Sequence, residues 1–236
     1  MFHKVFISFL GHLIWIQLLV ACEQEVLPPV TTGPYTPPPP RAAVLTACGA
    51  KKINHTDGSI HVLFVGNSLT YSNDLPLKVV EAAARDGKQF VVEMLAFPNY
   101  ALEDHWLVGR MQQMVCQGNF DYVVVQQGPS SQEDGRVMLL EYGALLKTLC
   151  DSRGSKLAFF MVWPAKQNYH TFPGVISNYS EAALATNSIL CPVGSQWKRY
   201  MDRSNDYSYY SSDGFHPSVL GSQVAADIIY SSLINN

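Results

Sequence analysis

Three side chains near opposite ends of the domain have the types that nucleophilic catalysis requires. The segment HVLFVGNSLTYSNDLP, residues 61–76, runs apolar and stops at Gly66-Asn67-Ser68, so that Ser68 stands in a turn opening towards a new amphipathic segment. A serine hydroxyl is a weak nucleophile until a base takes its proton. The segment SSDGFHPSVLGS supplies a base and an acid, with Asp213 three residues before His216 and Pro217 next to it. A turn through Asp-Gly-Phe-His lets the carboxylate meet one ring nitrogen and leaves the other free for Ser68. In such a triad the acid fixes the histidine tautomer and stabilises the imidazolium. Taken singly, Ser68 also reads as a helix cap and Asp213 as a loop brace.

Elements that could position these groups are legible from periodicity. Short apolar runs at 61–66, 89–96, 121–127, 156–163 and, more weakly, 188–193 read as strands. Amphipathic segments at 74–86, 102–115, 133–152, 175–187 and 217–234 read as helices. The alternation predicts an α/β domain with a five-stranded parallel sheet whose strands are apolar on both faces. In such sheets the working residues collect at the carboxyl ends of the strands, here after Gly66, Ala96, Gln127 and Trp163.

FVGNSLT and DGFHP, at opposite ends of residues 61–234, together with the closing HPSVLGSQVAADII, resemble the first and last sequence blocks of the SGNH (GDSL-like) hydrolases. The resemblance implies a flavodoxin-like three-layer α/β/α sandwich. It also implies Ser68 as nucleophile, His216 as general base and then acid, and Asp213 as its partner. Asn67 stands where the family usually has aspartate, and it keeps a side-chain acceptor that can brace the turn after Gly66.

The middle blocks depart further from the family pattern. A tetrahedral oxyanion needs donors placed in advance. The family usually offers the serine N–H, a glycine N–H after the second strand and an asparagine side chain after the third. Here FPNYALEDHW puts Pro98-Asn99 at the second position, and proline has no N–H, which leaves Asn99. VVVQQGPSSQ contains no asparagine, and its Gln127-Gly128 resembles a Gln-Gly-Glu-Ser variant in acetylesterase-like branches. That likeness points to the Gln127 amide as third donor, with Ser130 as substitute. Trp163 and Tyr169 are candidates to line a sugar-binding cleft, against ordinary packing as the alternative. Glu103, Asp104 and His105 are consecutive, point in different directions on a helix and read as a helix start with early acids, so no metal is expected.

The chain opens with Lys4 and the apolar run VFISFLGHLIWIQLLVA, read as a lipoprotein signal over 1–21 whose lipobox ends at Cys22, the lipidation site. A proline-dense tract over 22–45 reads as an extended tether, and 46–236 as the catalytic domain. The expected location is that of an exported bacterial lipoprotein, on a periplasm-facing membrane or at the cell surface. With 16 basic and 19 acidic residues, a net charge of −3 and no long run of either sign, nothing suggests a nucleic-acid partner. Cys48, Cys116, Cys150 and Cys191 permit two disulfides in three connectivities, or buried free thiols. The chain therefore reads as a lipid-anchored serine esterase acting on O-acyl groups, above all O-acetyl esters of carbohydrate, without a cofactor. A glycan-binding protein on the same fold and an O-acyltransferase with the same triad are the alternatives.

Overall fold

In the computed structural model, residues 48, 49, 53 and 55–236 are described. The expected signal, the lipidation site Cys22 and the proline-rich tether lie outside them. Among the described residues no helix is long and apolar enough to cross a membrane.

Five strands form one parallel sheet: β1 Ile60–Gly66, β2 Phe90–Ala96, β3 Tyr122–Val125, β4 Lys156–Phe160 and β5 Ile189–Cys191, in the order β2-β1-β3-β4-β5. This is the doubly wound, flavodoxin-like order, and its reversal point lies between β1 and β3. Val62 to Val65 of β1 have no exposed surface, because helices cover both faces of a central strand. The edge strand β2 departs from the expected two-sided apolar pattern. Val91 and Met94 are exposed there, along with Glu93, because the outer edge of the sheet has helices over only part of its faces.

The helices are α1 Ser68–Tyr71, α2 Leu75–Arg85, α3 Leu102–Val108, α4 Arg110–Gln117, α5 Glu133–Arg153, α6 Phe172–Ala185, α7 Val193–Ser204 and α8 Val219–Ile234. Right-handed crossovers place α2 on one face, where it packs on α8, and α3 to α6 on the other, with α5 against α6. The segment expected as one helix over 102–115 is two, because Gly109 takes a left-handed φ of 79° and ends α3 before α4 starts. Helix α7 was not expected. Its buried Val193, Trp197 and Met201 recur every fourth residue, a helical spacing that the short sequence VGSQWKRYMDRS does carry.

Cys48 and Cys116 form a disulfide that ties the start of the described domain to α4, while Cys150 and Cys191 are buried free thiols. Burial pushes both free thiols up to about 12, so they are inert at neutral pH.

Candidate active site

Ser68, Asp213 and His216 meet at the carboxyl ends of the strands. His216 Nε2 lies 2.9 Å from Ser68 Oγ, across a separation of 148 residues, and His216 Nδ1 lies 2.6 Å from Asp213 Oδ2. The carboxylate accepts only, so Nδ1 carries the proton and Nε2 is left to accept from Ser68. Asp213 Oδ1 also accepts from the N–H groups of Phe215 at 2.8 Å and His216 at 2.9 Å, and from the Ser211 hydroxyl at 2.7 Å. The bond from the His216 ring, helped by those from Phe215 and Ser211, holds the Asp213 carboxyl well below the usual carboxylate range.

The nucleophile turn is built by Asn67. Its side-chain oxygen accepts from the Leu69 N–H at 3.1 Å, its amide donates to the Tyr100 carbonyl at 3.0 Å, and its own N–H donates to Gln126 Oε1 at 2.9 Å. Gly66 is needed for space rather than for its backbone angles. A Cβ there would sit 2.3 Å from Thr70 Oγ1 and 2.4 Å from Gln126 Oε1, too close for either. Behind it, the carbonyl of Gly66 accepts from His105 Nε2 at 2.8 Å.

The histidine loop is tied down from several sides. Lys166 N–H donates to the Gly214 carbonyl at 2.7 Å, Tyr210 O–H to the Pro164 carbonyl at 2.8 Å, and Trp163 Nε1 to the Phe215 carbonyl at 3.0 Å. Asn73, three residues past Leu69-Thr70 and in the left-handed region, donates to the Pro217 carbonyl at 2.9 Å and joins the nucleophile side to the histidine side.

A cavity of about 390 Å³ opens beside Ser68, lined among others by Asn99, Tyr100, Gly128, Pro129, Met138 and Phe215. Asn99 also lines it and has a φ of 61°, in a turn closed by Tyr100 N–H on the Phe97 carbonyl at 3.3 Å. Pro98 and Asn99 are thus the central pair of a turn that needs a positive φ at its third residue, which asparagine tolerates.

Four expected site residues have other tasks. Both amide hydrogens of Gln127 are committed, to Ser130 Oγ at 2.7 Å and to the Gly135 carbonyl at 3.2 Å, so this side chain has no donor left for an oxyanion. Ser130 donates its only hydroxyl proton to the Gly128 carbonyl at 3.0 Å and is likewise not free. Trp163 is fully buried, stacked on Trp197 at 3.6 Å, and cannot touch a sugar. Tyr169 donates to Asp202 at 2.6 Å, packs on Phe172 and Tyr207, and does not line the cavity. The aromatic side chains that do reach the cavity are Tyr100 and Phe215. Sequence reasoning passed over both, although each lies within two residues of a candidate site residue.

Glu103, Asp104 and His105 go to three separate partners: Tyr142 O–H at 2.9 Å, the Ala101 N–H at 2.7 Å and the Gly66 carbonyl. Among the described residues no cluster of three or more metal-ligating side chains is present.

No family model matches this sequence, and no curated protein matches it. Solved structures do match in fold. A lipase/acylhydrolase from Enterococcus faecalis aligns at a TM-score of 0.61 with 18% identity, over 75% of this chain and 96% of that one. An acetylxylan esterase from Geobacillus stearothermophilus aligns at 0.59 with 16% identity, over 75% and 95%. A protein assigned as an SGNH hydrolase, from Slackia heliotrinireducens, aligns at 0.64 with 20% identity, over 74% and 99%. The chain has the fold of the SGNH hydrolases.

Proposed function

We propose that the protein is a lipid-anchored, exported serine esterase that removes O-acyl groups, chiefly O-acetyl, from carbohydrate. The observation that carries this reading is the unbroken chain from Ser68 Oγ through His216 to Asp213, at the strand ends of this fold. The cavity of about 390 Å³ is small for a long acyl tail and ample for a short one. The likeness to an acetylxylan esterase supports the choice of acetyl and sugar. The Cys48–Cys116 disulfide agrees with an oxidising compartment outside the cytoplasm.

The steps follow from the geometry. Ser68 Oγ attacks the ester carbonyl while His216 Nε2 takes its proton, and the Asp213 carboxylate stabilises the resulting imidazolium. The carbonyl oxygen becomes an alkoxide facing main-chain N–H groups of Ser68 and Asn99. As the C–O bond to the sugar breaks, His216 returns the proton to the leaving hydroxyl, and the acyl group stays on Ser68. Water, deprotonated by His216, then attacks this acyl-enzyme and releases the acid.

The test is labelling by a fluorophosphonate probe, wild type beside Ser68→Ala, followed by acetate release from acetylated xylooligosaccharides. Ser68-dependent labelling and acetate release are expected. A folded wild-type protein that neither labels nor releases acetate overturns the esterase reading in favour of a glycan-binding protein. Labelling with acetyl passed to a second sugar, and no free acetate, would make it an acyltransferase.

A further inference from the structure

Ser68, Asn99 and Gly128 all line the cavity, and among the described residues their main-chain N–H groups have no acceptor. We propose that the third oxyanion donor is the Gly128 main-chain N–H, and that Gln126 is the positioning residue that aims it. This inference rests on the esterase reading and adds to it the part that the third sequence block leaves open.

The placement follows from one peptide unit. The Gln127 carbonyl accepts from Gln126 Nε2 at 2.6 Å and from the fully buried Tyr179 hydroxyl, which holds it on the core side. That carbonyl and the Gly128 N–H belong to the same trans peptide, so they point in opposite directions. The N–H is therefore turned from the core towards the cavity. Beyond Gly128 and its two chain neighbours, no atom of the described residues lies within 4 Å of where a Gly128 Cβ would stand, so a substrate oxygen has room to approach. Two donors on one carbonyl also polarise the peptide and strengthen its N–H as a donor.

Gln126 reaches the nucleophile as well. Its Oε1 accepts from the Asn67 N–H at 2.9 Å and from the Thr70 hydroxyl at 2.8 Å, and the residue is 1% exposed. The neighbours dictate the amide orientation, with two donors facing Oε1 and a carbonyl facing Nε2. One buried side chain thus spans the Asn67-Ser68 turn and the Gln127-Gly128 turn. It sets the distance between the attacking hydroxyl and the donor. The missing Cβ of Gly66 is the room that Gln126 Oε1 occupies. The Asn67 carbonyl, in turn, accepts from Thr70 and Tyr71 N–H at 2.9 and 3.2 Å, which turns the Ser68 N–H the opposite way. A main-chain group of this kind explains how VVVQQGPSSQ serves without an asparagine.

The experiment compares three altered proteins with wild type on p-nitrophenyl acetate, with Tm measured for each. Replacing Gly128 by glycolic acid puts an ester oxygen where the N–H was and should lower kcat roughly 10²–10³-fold at nearly unchanged KM and Tm. Gln126→Met, which removes all three side-chain bonds, should lower kcat by about tenfold or more, again with little change in KM. Gln127→Ala should lower Tm yet keep kcat within about tenfold, because its amide serves only the loop. A glycolic-acid protein with wild-type kcat overturns the inference, as does a Gln127→Ala protein with the larger loss. If Gln126→Met fails to fold, the glycolic-acid protein decides alone. Absence of Ser68-dependent turnover in wild type would end the esterase reading and this inference with it. Turnover in wild type that survives loss of the Gly128 N–H would end this inference only.

Discussion

The indole N–H of Trp163, which follows β4, donates to the carbonyl of Phe215 at 3.0 Å, one residue before the catalytic histidine candidate. Trp163 is itself clamped by stacking on Trp197. A rigid, wholly buried ring therefore holds the loop that carries Asp213 and His216, although that loop is half exposed.

Trp163→Phe keeps most of the ring and removes the N–H. The Phe215 carbonyl loses its donor, and the histidine is less firmly held. A fall in kcat of about tenfold is expected, since misplacements of an ångström or less can cost that much. KM for an acetylated sugar should stay nearly constant. A raised KM at constant kcat would instead restore a sugar-binding role.

Asp213→Asn tests the direction of the proton chain. Oδ1 of Asp213 accepts from two N–H groups and a hydroxyl, so an asparagine must keep its oxygen there and turn its NH₂ towards His216 Nδ1. Nδ1 is then forced to accept, its proton moves to Nε2, and Ser68 has no base. Turnover of p-nitrophenyl acetate should fall by roughly 10⁴-fold with the fold retained. A loss smaller than about tenfold would show that Asp213 only shapes the loop. Because the wild-type carboxyl is held below its unfolded value of 3.8, its contribution to stability is present above that pH. The contribution fades as pH falls through the lower folded value, and in Asp213→Asn this part of the acid dependence of Tm should vanish.

His105 sets a second, higher pH window. It is 1% exposed, and burial lowers its pKa below the usual 6.5, outweighing the Gly66 carbonyl and Asp104, which raise it. Above about pH 6.5 the ring is neutral in folded and unfolded chains alike and adds no pH dependence. As pH falls below that value the unfolded chain binds the proton first, so stability drops until the folded pKa is reached. Wild-type Tm should therefore decline as pH falls below about 6.5. His105→Gln, which keeps an N–H donor but does not titrate, should flatten that slope, and an unchanged slope would exclude His105 as its source.

Removing the Cys48–Cys116 link should cost about 2–4 kcal/mol, since it closes a long loop in the unfolded chain. Reductant should lower the Tm of wild type and leave Cys116→Ser unaffected. In the native protein Cys150 and Cys191 should resist iodoacetamide, being buried with thiols pushed up to about 12. Rapid alkylation of Cys191 would mean that β5 opens readily, and of Cys150 that the end of α5 does.

The sequence by itself determined the kind of architecture and marked the candidate triad residues at its two ends. Apolar runs alternating with amphipathic segments leave few arrangements other than a parallel sheet between helices, and the apolar stretch over Val62–Val65 has the composition of a strand buried on both faces. Ser68, Asp213 and His216 were legible as a candidate triad because the resemblance of their two sequence blocks joined residue types that are each weak signals alone. The tertiary structure alone decided the roles of neighbours that look alike in the sequence. Gln126 and Gln127 are adjacent amides just past β3. Successive side chains there point to opposite sides, so Gln126 meets the β1 turn and Gln127 meets the loop before α5. Periodicity could not tell which side faces the nucleophile, because that depends on β1 and β3 pairing across some sixty residues. Depth was hidden for the same reason. Trp163 and Phe215 are both aromatic residues near strand ends or catalytic loops, and only the packing of Trp197 from α7 puts the first in the core while the second lines the cavity.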